Sequence, residues 1–230
     1  MTYQLYIGDR TFSSWSLRGW LMLEKFGLPY NTHMVGLYAG TMAQDLAHLA
    51  PARSVPVMQT GAGHVLTDSI AMAETLVENH PAVDLYPRDP GARALARSMV
   101  AEMHSGFMAL RNDCPNMISH VWDGFVPSQT VIADIQRAQD LWALARSRHG
   151  HDGPWLFGAY SLADVFYAPV ALRITAYGLP VSSAAQAYVN QHLADPAFLQ
   201  WRAAAQLENV APWPYPMDLK RLPWPSVNQS

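Results

Sequence analysis

The sequence predicts a small α/β unit followed by an all-helical unit, and three observations carry that reading. Residues 1–80 alternate short β-prone runs with helical stretches. Pro81, Pro87, Pro90 and Gly91 then interrupt the pattern around Leu85-Tyr86, as an interdomain connection does. Beyond them Leu95, Met99, Met103, Phe107 and Leu110, and later Val131, Ile135, Ala138, Trp142 and Ala145, recur at helical spacing. The expected boundaries are an α/β domain at 1–80, a linker at 81–91 and an all-helical domain at 92–230 that ends in a Pro/Trp-rich tail.

Each element follows from local chemistry. Leu5-Tyr6-Ile7 reads as a strand that stops at Gly8-Asp9, and Leu17, Trp20, Leu21, Leu23 and Phe26 give the next helix a broad apolar side. Gly27 and Pro29 form its stop signal, and Tyr30 to Val35 reads as a second strand, so this crossover should leave the two strands parallel. Gly36 to Ala50 is loop-like, with a turn or two of helix near Met42. Ser54 to Gln59 and His64 to Thr67, joined through Gly61-Ala62-Gly63, signal a hairpin, with Pro56 in a trans or cis bond where its missing N–H does least harm. Asp68 or Ser69 caps the helix Ile70 to Asn79. In the helical half, Ser161-Leu162-Ala163-Asp164 is a variant capping box before a helix that Pro169 should kink or locally relieve. Two more helices fit Ser182 to Leu193 and Pro196 to Gln206. The tail from Ala211, rich in proline and holding Trp213, Tyr215 and Trp224, is expected to run extended across the helices.

Composition narrows the function. Of 230 residues half are hydrophobic, 14% are charged and the net charge is -3, which argues against disorder and against a basic nucleic-acid surface. No window reaches the roughly 20 apolar residues of a membrane span, and Met1 to Ile7 lacks the features of a secretory signal. The lone Cys114 has no disulfide partner, so a soluble, cytoplasmic protein without membrane or nucleic-acid partners is expected. The histidines are scattered, the closest pair being His149 and His151 in a Gly-rich turn, so no metal is expected. Walker, dinucleotide-binding and nucleophile-elbow motifs are absent from the sequence.

The stretch richest in chemistry is Phe12-Ser13-Ser14-Trp15-Ser16-Leu17-Arg18, which crowds hydroxyls between the first strand and the first helix. A helix start offers unpaired N–H groups and the positive end of the macrodipole, and serines add donors, so an anion is stabilised there. The same serines also suit plain N-capping, and the stretch by itself leaves both readings open.

Taken in order, Ser13-Ser14-Trp15-Ser16, Ser54-Val55-Pro56-Val57, Asp68-Ser69 and Ser161-Leu162-Ala163-Asp164 resemble the cytosolic glutathione transferase superfamily over nearly the whole chain, the Pro-rich tail excepted. The resemblance implies a thioredoxin-like first domain with a mixed four-stranded sheet that binds glutathione, a helical domain that supplies most of a second pocket, and a homodimer. It implies a cis bond at the position of Pro56, backbone recognition of glutathione at Val55, and a γ-glutamyl site at Asp68 and Ser69. The serine run is similar to the Ser-Ser-Cys-Ser of the zeta class, whose first serine assists the thiol, so that role falls on Ser13 with Ser14 as its neighbour. Trp15 stands where that class has cysteine.

The function expected from this resemblance is a glutathione transferase that uses glutathione as co-substrate, activates its thiolate and attacks small hydrophobic electrophiles in detoxification. A glutathione-dependent isomerase or peroxidase on the same site, and a non-catalytic binding protein on the same fold, are the alternatives. Arg53 is a candidate for the glycyl carboxylate of glutathione. Phe12, Trp15, Met103, His104, Phe107, Met108 and Arg111 are candidates for the electrophile pocket, although methionines and aromatics at helical spacing also suit a core.

Overall fold

A computed structural model of the chain describes residues 2–208 and 213–225. Its first half is built on a mixed four-stranded sheet, ordered β2-β1-β3-β4, from β1 (Tyr3–Ile7), β2 (Tyr30–Met34), β3 (Val57–Gln59) and β4 (Val65–Leu66). β1 pairs parallel with β2 and antiparallel with β3, and β3 turns into β4, which is the thioredoxin-like arrangement expected. The alternation along β1 explains its central place: Tyr3, Leu5 and Ile7 are fully buried, while Gln4 and Tyr6 face the other side of the sheet.

Helix α1 (Ser14–Glu24) follows β1, and α3 (Ser69–Asn79) follows β4; between β2 and β3 lie only a one-turn α2 (Met42–Asp45) and a tight turn at Ala47–Leu49. The sequence pattern gave α1 one apolar side, yet it is buried along nearly its whole length, because it is packed between β1 and the helical half. Burying Leu17, Leu21 and Leu23 contributes about 1.5–3 kcal/mol each before the cost of ordering them. Gly19 is required here: a Cβ would lie 3.0 Å from Pro56 Cβ, so its absence lets α1 press against the Val55–Pro56 segment. That segment carries a cis peptide bond.

The second half holds α4 (Pro90–Ser105), α5 (Met108–Asp113), α6 (Gln129–His149), α7 (Leu162–Tyr177), α8 (Ser183–Ala194) and α9 (Pro196–Ala205). α7 is the central rod, buried on almost every face and packed against α1, α4 and α8. Its capping box forms as expected, with the Asp164 carboxylate accepting from Ser161 N (2.9 Å), Ser161 Oγ (3.0 Å), Leu156 N (3.1 Å) and the Tyr188 hydroxyl (3.0 Å).

The expectation of a purely helical second half needs an addition. β5 (His120–Asp123) pairs antiparallel with β6 (Lys220–Pro223), so the tail forms a strand rather than merely lying extended over helices. Four-residue strands separated by four helices leave no periodic signal in a sequence. Ala211, Pro212 and residues 226–230, part of the predicted tail, lie outside the described residues.

The two halves are bound together at the serine turn. Arg10 pairs with Glu208 at 2.6 Å, Trp201 Nε1 donates to Arg10 O at 3.1 Å, and Asn116 Nδ2 donates to Thr11 O at 3.3 Å. These bonds hold the strand-to-helix turn from the helical side.

Candidate active site

Ser13 is the N-cap of α1. Its Oγ accepts from Ser16 N at 3.2 Å and donates to Ser16 Oγ at 2.7 Å, and Ser16 Oγ also accepts from Gly8 N at 3.0 Å. The hydroxyls therefore brace the turn internally, as the capping alternative requires. Ser14, one residue on, accepts from Arg173 Nη2 at 3.4 Å, a long bond from the middle of α7. Both serines nonetheless line one cleft of about 490 Å³, together with Phe12, Trp15, Tyr38, Val55, Arg111, Asn116, Arg173 and Tyr215.

Positive charge is concentrated around this cleft. The Trp15 ring is flanked by the Arg18 guanidinium at 4.4 Å and that of Arg111 at 4.9 Å. Arg18 is fully buried, and its Nε and Nη1 have no hydrogen-bond partner among the described residues. Arg111 reaches back to the carbonyls of Met103 and His104, the latter at 3.0 Å, because the chain reverses at Gly106-Phe107. Gly106 permits the reversal: a Cβ there would meet Glu102 O at 2.7 Å. Phe107 follows in the left-handed region (φ 57), which a bulky residue rarely adopts.

Arg173 donates to Cys114 O at 2.8 Å and Pro169 O at 3.2 Å. Among the described residues, no carboxylate lies within ion-pair distance of Arg18, Arg111 or Arg173. Burial, and next the nearby Arg111, bring the Arg173 pKa down to about 10; it stays charged at neutral pH. Burial lowers Arg111 and Arg18 as well, and Arg111 and Arg173 lower Arg18 further. Arg18 and Arg173 are thus disfavoured by neighbouring cations, while Asp68 and Asp134 act from farther off in favour of charged Arg18 and Arg111, and an anion in the cleft would favour Arg111 and Arg173.

Beside the cleft lies a second cluster. Asp68 caps α3 through bonds from Ile70 N (2.7 Å) and Ala71 N (3.3 Å). His104 Nε2 is 3.3 Å from Asp68 Oδ2, and its Nδ1 is 3.3 Å from Ser69 Oγ. A neutral imidazole protonated on Nε2 satisfies both contacts, donating to Asp68 and accepting from Ser69. Burial first, then Arg18 and Arg111, depress the His104 pKa against the pull of Asp68, in keeping with that neutral form. The imidazole meets the Trp15 ring edge-on at 5.2 Å, so the indole joins this cluster to the serine cleft.

The structure thus brings Phe12, Ser13, Ser14, Trp15, Val55 and Arg111 into one cleft, with Pro56, Asp68, Ser69 and His104 around it. Val55 precedes β3, and its N–H and C=O have no hydrogen-bond partner among the described residues. Arg53 is exposed. Three candidates lie elsewhere: Met103 is fully buried in the core, Phe107 packs on Tyr167 at 6.2 Å, and Met108 is 56% exposed. Helical spacing put these residues on a shared side but could not say which neighbour that side meets. Arg173 was missed although it carries a readable signal, a lone charge in the apolar run Val170-Ala171-Leu172-Arg173-Ile174. Tyr38, Asn116 and Tyr215 carry no comparable signal.

Residues 12–79, the span from the serine run to the end of α3, match the family described as glutathione S-transferase, N-terminal domain. The chain is 31% identical over 202 residues to a probable maleylacetoacetate isomerase of Caenorhabditis elegans, a match covering 85% of this chain and 90% of that one. Among solved structures it is similar to a glutathione transferase homologue from Burkholderia gl BGR1 with bound glutathione, at 26% identity and a TM-score of 0.65 over 90% of this chain and 98% of that one. Human glutathione-S-transferase T1-1 shares the fold, at 22% identity and a TM-score of 0.62 over 88% and 89% of the two chains. Likeness along nine-tenths of a curated relative, with the serine run and the cis-proline segment inside the matched region, settles the family: the chain belongs to the cytosolic glutathione transferase superfamily of glutathione-dependent enzymes.

Proposed function

We propose that this enzyme uses glutathione to isomerise, by reversible thiolate addition, a small unsaturated acid, rather than to conjugate the neutral hydrophobic electrophile expected from the sequence. One observation carries the choice: Arg111 and Arg173 line the same cleft as Ser13 and Ser14 without a carboxylate partner. Their hydrogen bonds go to neutral acceptors, the Met103 and His104 carbonyls for Arg111 and the Cys114 and Pro169 carbonyls and Ser14 Oγ for Arg173, so neither charge has a counter-charge in direct contact, and taking a charge out of water without one is costly. A carboxylate-bearing substrate relieves that cost and a neutral aromatic one does not. The names of the curated relatives, maleylacetoacetate isomerases, support the same reading.

In this reading residues 1–80 hold glutathione, residues 92–230 supply the second pocket, and the assembly is a cytoplasmic homodimer. Val55 pairs its backbone with the cysteinyl unit, and Asp68, Ser69 and the start of α3 take the γ-glutamyl end, with His104 fixing both side chains. Arg53, exposed and next in sequence to the cleft-lining Ser54, would meet the glycyl carboxylate. Bringing a thiol pKa from about 8.5 to about 6.5 requires ~2.7 kcal/mol. A charge-assisted hydrogen bond supplies about 1.5–3 and a helix N-terminus about 0.3–1. Ser13 would give up its neutral bond to Ser16 Oγ, worth about 1 kcal/mol, for the stronger one to sulfur, so the exchange is downhill. Ser14 keeps Arg173 aimed at the cleft.

The thiolate then adds to the double bond conjugated with the substrate's carbonyl, giving an enolate; rotation about the resulting single bond and expulsion of the same thiolate return glutathione and the trans isomer. Arg111 and Arg173 hold the substrate carboxylate throughout. Assaying a panel with glutathione tests the proposal. Turnover of a cis-unsaturated dicarboxylate, with little turnover of a neutral aryl halide, is expected; the reverse preference would restore the transferase reading.

A further inference from the structure

The tail crosses the cleft. Between α9 and β6, Trp213 and Tyr215 cover Phe12: the Phe12 ring meets Trp213 at 4.7 Å and Tyr215 at 5.8 Å, both edge-on, while Tyr38 closes its other side at 5.7 Å. This segment is held firmly. β6 is hydrogen-bonded to β5, the Arg221 guanidinium lies 4.8 Å from the Trp213 ring and 5.3 Å from that of Trp122, and Trp224 is buried against Phe198. Tyr38 comes from the opposite half, on the loop between β2 and α2. The two phenol oxygens meet at 2.6 Å across the cleft, and both tyrosines line it.

We propose that Tyr38 and Tyr215 form a substrate-binding hydroxyl pair that selects, among the unsaturated acids proposed above, those with a second oxygen beyond the anchored carboxylate. In such a pair one phenol donates to the other and the second keeps its proton. That free O–H is the one uncommitted neutral donor the pair can offer, and a phenol already accepting a hydrogen bond is the stronger donor for it. It sits in the same cleft as two guanidiniums, so a substrate anchored at its carboxylate presents its carbonyl oxygen, which becomes the enolate oxygen on addition, to the hydroxyl pair. Burial, and next the hydrogen bond to Tyr215, raise the Tyr38 pKa, so the phenol keeps its proton across the working pH range. The inference rests on the proposed function, and its test separates the two.

The test uses the full chain with Tyr215→Phe, Tyr38→Phe and the double variant. Inhibition of the isomerisation is measured with heptanedioate and with its mid-chain oxo derivative. Wild type should bind the oxo compound about five- to tenfold more tightly, the worth of one hydrogen bond. The single variant that removes the phenol facing the substrate should bring that ratio close to one, the other should lower it only in part, the double variant should do no more than the first, and the affinity for heptanedioate should stay within about twofold, because both rings remain in place. A merely structural role would weaken both inhibitors together. An unchanged ratio in the Phe variants overturns the hydroxyl-pair assignment alone, whereas failure of either dicarboxylate to bind wild type overturns the anionic-substrate reading and this one with it.

Discussion

Replacing Ser13 by Ala separates capping from chemistry. In the folded chain the substitution removes the acceptor for Ser16 N and the donor to Ser16 Oγ; Ser16 keeps its bond from Gly8 N. Both serines are buried, so water does not replace the lost partners freely. An N-cap lost to Ala costs about 1 kcal/mol and a lost buried hydrogen bond a similar amount, together about 1–2 kcal/mol. For a chain of this size that lowers Tm by roughly 3–6 °C. The chemical effect is distinct. Losing a charge-assisted bond worth about 1.5–3 kcal/mol raises the pKa of bound glutathione from about 6.5 by roughly 1–2 units, so the thiolate fraction, and with it kcat, falls about 3- to 30-fold at neutral pH. Ultraviolet titration of the thiolate in the binary complex reads the pKa directly, and the pH profile of kcat should show activity returning as pH rises. A variant that melts early yet titrates like wild type refutes the thiolate role and leaves Ser13 a cap. If Ser14→Ala raises the pKa instead, the role moves one residue along.

Other predictions follow from the same geometry. Arg111→Gln should raise KM for an anionic substrate about 10- to 100-fold, the worth of a hydrogen bond to a charged group, with a smaller effect on glutathione binding; steady-state kinetics in each substrate check this. Asp164→Ala leaves four buried donors without their acceptor and should cost about 3–4 kcal/mol, measured by urea denaturation, with no specific effect on substrate preference. Acid should destabilise the fold. His192 is fully buried, and burial followed by Lys25 holds its pKa down to about 3, so the stability it contributes is present above the ordinary histidine value and is lost as pH falls. Between about pH 7 and pH 5 that loss is roughly 2 kcal/mol. His120, lowered to about 4 by burial and then Arg221, acts in the same direction. Asp164 opposes them: burial raises it to about 6 against its four donors, so its contribution grows as pH falls, by about 1 kcal/mol. The histidines win, and the urea midpoint should drop on acidification, less steeply in His192→Gln.

Legibility in the sequence followed the range of the interactions. The serine turn, Pro56, the Asp68 cap and the Ser161–Asp164 box are written in residues a few positions apart, so their local chemistry could be read and the structure forms them. The order of strands and helices follows from such signals as well. Arg173 and Tyr215 reach the cleft only through packing, from α7 and from a strap joined to β5, and no spacing in the sequence links them to Ser14. The same limit explains Met103 and Met108: helical period defines a side, and the neighbouring elements decide whether that side meets core, cleft or solvent. Of the residues expected to form an electrophile pocket, Phe12, Trp15 and Arg111 line the cleft, and packing adds Leu37, Met42, the phenols of Tyr38 and Tyr215 and the Arg173 guanidinium, none of which helical spacing could point to.

The most direct measurement is the fate of glutathione during turnover of a cis-unsaturated oxo dicarboxylate, followed by proton NMR with substoichiometric glutathione. Many turnovers to the trans isomer are expected while the glutathione signals persist unchanged. Glutathione consumed mole for mole, with a thioether accumulating, would contradict the isomerase reading and identify a conjugating transferase.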